Sequence, residues 1–168
     1  MKPTWVVLTL LGIAGLGGSA FVTDEPNQVA VLGERLFSDP ILSRTRTISC
    51  ATCHRPDYAF ADTSAVSVGV RGQRGKRNTP SAMNVLLQAN FFWDGRAATL
   101  EEQVLAPIEN PDEMDLPIAE AVNRLNRSKT YVAQFGRVFG ELPSRTNLAK
   151  ALAEFQRTLE TADSPFDD

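Results

Sequence analysis

Cys50-Ala51-Thr52-Cys53-His54 is the stretch on which the reading of this chain turns. Two cysteines with two residues between them, followed at once by a histidine, meet the requirements for covalent attachment of haem c. Each thiol adds across one vinyl group. On a single helical turn the spacing brings both sulfurs to the porphyrin edge while the histidine swings under the iron. His54 is therefore the expected proximal ligand, with Cys50 and Cys53 as the attachment points for one haem. Two bland chemistries also use close cysteines. A redox dithiol has no need of the adjoining histidine, and a zinc site takes four ligands where this chain holds two cysteines and one histidine in all.

Outward from the motif, the composition is that of an ordinary globular protein. The 168 residues suffice for one core but not for two haem domains of ordinary size. Net charge is −3 and basic residues are spread along the chain, so nothing points to nucleic acid. With both cysteines used by the haem motif, no disulfide framework and no spare thiol remain.

The N-terminus has a different character. Lys2 is followed by an apolar run over residues 5–16, and Gly18-Ser19-Ala20 supplies small residues before Phe21. This is the pattern of a secretory signal over residues 1–20, with a single mature domain over residues 21–168. The run falls short of the roughly 20 apolar residues that cross a bilayer, which makes an uncleaved membrane anchor the lesser reading. Export agrees with haem c attachment outside the cytoplasm. The expected location is the periplasm, either soluble or tethered to its membrane.

Helical spacing then governs the chain. Over residues 27–37, Val29, Leu32, Leu36 and Phe37 share a face with Gly33, predicting a helix that another helix approaches closely, ended by Ser38-Asp39-Pro40. Its expected partner is the last helix, capped by Asn147 and striped with Leu148, Leu152, Phe155 and Leu159. A first and a last helix crossing over a haem crevice is the plan of class I cytochromes c. Residues 68–77 are basic and interrupted by Gly69, Gly72 and Gly75, either a plain surface loop or a wall or lid of the haem. Asn78-Thr79-Pro80 turns the chain, and Thr99 with Glu102 forms a capping box. Further helices are expected over 118–125 and 131–139, the latter stopped by Gly140 and Pro143. No useful β-alternation appears, so the expected fold is all-α, a class I cytochrome c-like haem domain with long loops around one covalently bound haem c.

Several segments together resemble the N-terminal haem domain of the bacterial di-haem cytochrome c peroxidases and the related methylamine-utilisation di-haem enzymes. They are Leu32-Gly33-Glu34-Arg35-Leu36-Phe37, the haem motif with Ile48-Ser49, Gly75-Lys76-Arg77-Asn78-Thr79-Pro80, Phe92-Trp93-Asp94-Gly95-Arg96, and Glu102-Gln103 through Asn110-Pro111-Asp112-Glu113-Met114, with weaker similarity to Ser164-Pro165-Phe166. Peroxide reduction needs an open iron position, a group that carries a proton between the peroxide oxygens, and polar contacts that favour O–O cleavage. The resemblance assigns these roles to Glu113 as acid and base and to Gln103 as the hydrogen-bonding group. It also makes Trp93 a relay between haems. Read bare, Glu113 is a solvated turn residue, Gln103 a helix-surface residue and Trp93 a core residue.

Two departures from the family pattern stand out. Where many members carry a second histidine ligand in the glycine-rich loop, this chain has Val70, and His54 is its only histidine. The iron is then five-coordinate, holds water, or takes methionine from Met83 or Met114. Family members also continue into a second haem domain, whereas this sequence ends at Asp168. A natural single-haem protein, half of a split enzyme and a truncated gene remain open. Asn78 matches the family's interdomain calcium ligand, and no calcium site is expected within the isolated chain.

The resemblance thus implies a peroxidase reducing hydrogen peroxide to water with electrons from a small donor protein, a cytochrome c or a cupredoxin. Surface exposed around Trp93 would suit self-association or a second haem-bearing subunit. The alternative is a single-haem electron-transfer cytochrome without turnover. An oxidase acting on a protein or small organic substrate ranks last.

Overall fold

The computed structural model describes residues 27–161. The expected signal over residues 1–20 lies outside the described residues, as does the chain end from 162 onward. Helix α1, Gln28–Ser38, starts at Asn27, whose side chain accepts from the Val29 and Ala30 amides and so satisfies two of the otherwise unpaired donors of the first turn. Its inner face carries Leu32, Gly33, Leu36 and Phe37. Asp39 ends it and caps a short 3-10 turn, Pro40–Leu42, by accepting from the Ile41 amide. Helix α2 is the single turn Cys50–Cys53, with Ser49 and Thr52 in reciprocal capping contact at its start.

Helices α3 (Leu100–Glu109), α4 (Ile118–Arg127), α5 (Lys129–Phe139) and α6 (Arg145–Arg157) complete the frame. Thr99 accepts from the Glu102 amide as expected, but Glu102 reaches back to Ala98 rather than to Thr99. Helix α5 starts at Lys129 behind the Ser128 cap, two residues before the predicted start, and Gly140 closes it with φ +70°. Only glycine adopts that conformation at no steric cost. The N-cap of α6 is Ser144 and not Asn147. Asn147 lies one turn inside: its amide donates to the Ser144 hydroxyl at 3.3 Å and its Oδ1 accepts from the Ser144 amide at 2.6 Å, completing a reciprocal box. Among the described residues the only β pairing consists of isolated bridges, such as Val68 with Arg74.

The first and last helices cross as expected. A Cβ on Gly33 would lie deep inside contact distance of the Ala151 carbonyl, so α1 and α6 meet backbone to backbone there. Around this crossing lies one apolar core, in which Leu36, Leu42, Ile108, Leu125, Phe135, Leu148 and Leu152 are buried. Polar ties set the outer helices: Tyr131 donates to Asp39 at 2.6 Å, and Arg157 of α6 pairs with Glu101 of α3 at 2.7 Å. Arg124 of α4 donates to the carbonyls of Ile41, Ser43 and Arg44, fixing the segment between α1 and the haem motif.

Candidate haem site

Cys50, Cys53 and His54 open onto a crevice of about 500 Å³. The end of α1 backs it: Phe37 stands 6.2 Å from the His54 ring and 5.1 Å from Phe155 of α6, with Phe60 edge-on to both phenylalanines. This aromatic packing leaves His54 little freedom to turn. The His54 Nδ1 lies 3.0 Å from the Phe60 carbonyl, which only accepts, so Nδ1 carries the proton and Nε2 keeps its lone pair. Burial lowers the imidazole pKa below its ordinary value, against the pull of the Phe60 and Pro80 carbonyls. A neutral imidazole with an oriented second nitrogen is what an iron ligand requires.

The thiols carry the same message. Burial pushes Cys50 up to about 12, with Cys53 adding to it, and burial also raises Cys53 although Ser67 beside it acts the other way. Thiols raised by burial lack the lowered pKa on which the attacking sulfur of a redox dithiol depends. Among the described residues no group of three or more His, Cys, Asp or Glu is placed to hold a metal ion, which leaves the zinc alternative without ligands. The crevice, the two sulfurs and the ligand-ready histidine fit one covalent haem c. A second, more open groove runs between α1 and α5, but Glu34, Arg35, Asp39, Gln134 and Arg137 line it, with no cysteine or histidine.

Gln103 and Glu113 line this same crevice. Gln103 sits on α3, where Pro107 has no N–H to offer the Gln103 carbonyl. Glu113 lies in the turn after α3, solvent-exposed at the open side but walled closely enough that burial raises its pKa. The opposing influences are a 2.7 Å hydrogen bond from Asn110 to its Oε1 and the nearby Arg96 charge. The sequence signals missed Asn110 and Arg96 as individual actors, although both lie in the quoted motifs. Arg96 also stacks over the Phe92 ring at 3.6 Å and ion-pairs with Asp94 at 2.8 Å.

Residues 68–77 form a wall of the crevice. Val70 does not stand free above it: its amide donates to the Glu113 carbonyl at 2.9 Å. Of the two candidate ligand methionines, Met114 is buried and lines the crevice, while Met83 packs against the core and is absent from the lining. Trp93 is at the rim, 66% exposed, with its indole N–H donating to the Asn78 carbonyl at 3.2 Å. It is not a core residue. The Asn78 side chain turns the other way and donates to the Ser64 and Ala65 carbonyls.

A helical frame gathers two thiols, a neutral histidine, a glutamine and a glutamate into one crevice, the donor set that a covalent haem c requires. The family follows from sequence. The chain belongs to the di-haem cytochrome c peroxidases, whose family model matches residues 27–168. It is 40% identical over 139 residues to the methylamine utilization protein MauG of Methylophilus methylotrophus, covering 82% of this chain and 42% of that protein. It is 42% identical over 139 residues to the cytochrome c551 peroxidase of Pseudomonas aeruginosa, covering 81% of this chain and 40% of the relative. Among solved structures, a MauG-like protein associated with microbial copper homeostasis superposes with a TM-score of 0.77 at 34% identity, over 83% of this chain and 43% of that one. The chain thus spans less than half the length of these relatives.

Proposed function

We propose that this chain is a cytochrome c peroxidase-type domain that reduces hydrogen peroxide to water with electrons from an external donor protein. The observation that carries the reading is the sharing of one crevice by Glu113, Gln103, Cys50, Cys53 and His54. Cys50 and Cys53 hold a single haem c and His54 is its proximal ligand, in a class I cytochrome c-like domain. Bound there, a haem would supply a redox-active iron able to take peroxide. Gln103 orients peroxide by hydrogen bonding. Glu113, ionised, takes a proton from one peroxide oxygen and returns it to the other as the O–O bond breaks. Reduction to two waters consumes two electrons and two protons, and the electrons come from a small cytochrome c or cupredoxin.

The exposed Trp93 supports a protein partner at the rim, either a second haem-bearing subunit or another copy of the chain. The N-terminal pattern supports a periplasmic location for the domain, residues 21–168, after removal of residues 1–20, or a place on its membrane if that segment is kept.

The experiment is the reaction of the purified, haem-loaded ferric protein with peroxide, wild type against Glu113→Gln. A high-spin spectrum that peroxide alters, and a loss of about 100-fold or more in the variant with haem attachment intact, is the expected result. Full activity in the variant sinks the role of Glu113. The second reading, an electron carrier without turnover, is favoured by the burial of Met114 in the crevice wall. It predicts a low-spin iron that refuses both peroxide and carbon monoxide.

A further inference from the structure

The turn that carries Glu113 is fastened at each of its three residues. The Glu113 carbonyl accepts from the Val70 amide at 2.9 Å and the Met114 carbonyl accepts from the Arg44 amide at 2.9 Å. Asp115 is held by its side chain: Arg44 donates to the carboxylate at 2.7 and 3.4 Å, and Arg71 pairs with it at 2.5 Å. Asp115 is 7% exposed and has φ +51°, a left-handed conformation that costs a non-glycine residue free energy and persists where surroundings enforce it. Its amide and that of Glu113 share the Asn110 carbonyl, both at 3.0 Å. Behind Arg44 stands α4, through the Arg124 hydrogen bond to the Arg44 carbonyl at 3.2 Å. A continuous polar path therefore runs from α4 through Arg124, Arg44 and Asp115 to Arg71 in the glycine-rich wall.

The other ties of that wall end upstream of Glu113. Gln73 donates to the Pro111 carbonyl at 2.5 Å, Lys76 pairs with Asp112 at 3.4 Å, and Gly69 lies against the Asp112 carbonyl. Among the described residues, the polar ties from the wall to Glu113 itself and to the residues after it are the Val70 amide and the Arg71 pair with the Asp115 carboxylate.

We propose that Asp115 is a positioning residue, which by holding Arg44 and Arg71 on one carboxylate clamps the glycine-rich wall to the turn and sets the direction of the Glu113 carboxyl. This rests on the peroxidase reading, since the direction matters only if Glu113 moves a proton to and from peroxide. Arg71 is the better point of attack, because its side chain is 59% exposed and Asp115 keeps Arg44 when it is removed. The Arg71 guanidinium is largely solvated and the buried Asp115 carboxylate keeps Arg44 as its partner, so removing Arg71 leaves no buried charge unpaired and should cost little in folding.

The test uses the haem-loaded protein as wild type, Arg71→Ala, Arg71→Lys, Glu113→Gln and the double variant Arg71→Ala/Glu113→Gln. The readouts are the second-order rate of the peroxide-induced spectral change, the melting temperature, and amide hydrogen exchange over residues 68–77 and 113–116. Displacing a reacting group by about 1 Å costs up to about 100-fold, so Arg71→Ala should lower the rate by about 10-fold at unchanged melting temperature. Exchange at Val70 and at Asp115 should quicken, and Arg71→Lys should restore most of the rate. In the Glu113→Gln background Arg71→Ala should cost nothing further, because positioning has lost its object. An unchanged rate in Arg71→Ala, or an equal loss with and without Glu113, overturns the proposal alone. A Glu113→Gln protein that reacts as fast as wild type overturns the peroxidase reading and the proposal together.

Discussion

The two sides of the crevice are built on opposite principles. The side that carries Cys50, Cys53 and His54 is backed by α1 and α6, whose contact is apolar and closes at Gly33 against the Ala151 carbonyl. The facing wall, residues 67–77 and 110–115, is backbone without regular helix, joined by Val70, Arg71, Gln73 and Lys76 to the turn that holds Glu113. Apolar close packing responds sharply to volume and little to pH or salt. Charged and polar ties on the surface respond to both. The difference suits the two tasks, since attachment needs a fixed site formed once, whereas proton transfer needs a carboxyl whose environment tunes it.

The same substitution made on each side tests that contrast. Gly33→Ala places a methyl group against the Ala151 backbone and the Phe155 Cβ, neither of which gives way without separating the helices. It should cost about 3 kcal/mol in equilibrium unfolding and lower the yield of haem-loaded protein. A loss below about 1 kcal/mol would mean that α1 and α6 slide apart freely, and the contrast would fail.

On the facing wall, Gly69→Ala brings a methyl group against the Asp112 carbonyl, again inside contact distance. Here the neighbour is loop rather than helix, so the wall shifts and unfolding should be easier by only about 1 kcal/mol. The Val70 amide moves with it, and with the amide goes the carbonyl of Glu113. The peroxide rate should therefore fall by more than the stability does, measured in the same units. An equal fall in both would make this wall as rigid as the other.

The contrast also decides what was legible in the sequence. The haem motif, the Thr99 cap, the Gly140 stop and the close approach at Gly33 follow from neighbours within a turn or two and are legible in the residues alone, whereas the Asn27 cap emerges only in the structure. Asn147 was misassigned because Ser144 and Asn147 are both good caps three residues apart, and only the fold shows that they exchange bonds. Glu113 and Gln103 came through resemblance, their bare reading being surface polarity on a turn and a helix. Asp115 gave no local signal beyond a lone acid between Met114 and Leu116, since its partners stand 71 and 44 residues away in sequence, the latter as 115 − 71. The choice between Met83 and Met114 depended likewise on which one tertiary packing turned toward the crevice.

The smallest effect is the most diagnostic of the facing wall. Burial raises the Glu113 pKa in the folded protein above its unfolded value, with the Asn110 hydrogen bond and Arg96 opposing. Between those two values the folded state binds more protons than the unfolded one, so this group makes stability decline as pH rises and level off above the folded pKa. Glu113→Gln keeps an acceptor for Asn110 and removes the titration. The variant should match wild type in stability at pH below the ordinary glutamate range and be slightly the more stable above the raised pKa. The peroxide rate runs the opposite way, since it needs the ionised carboxylate and is lost as pH falls through the same raised value. The stability difference must then level off at about the pH where the rate is half-maximal, both set by the folded pKa and displaced above that of an ordinary glutamate. A stability difference that vanishes at all pH values, or a rate with its acid limb in the ordinary carboxylate range, would mean that the wall leaves Glu113 as well solvated as any surface residue.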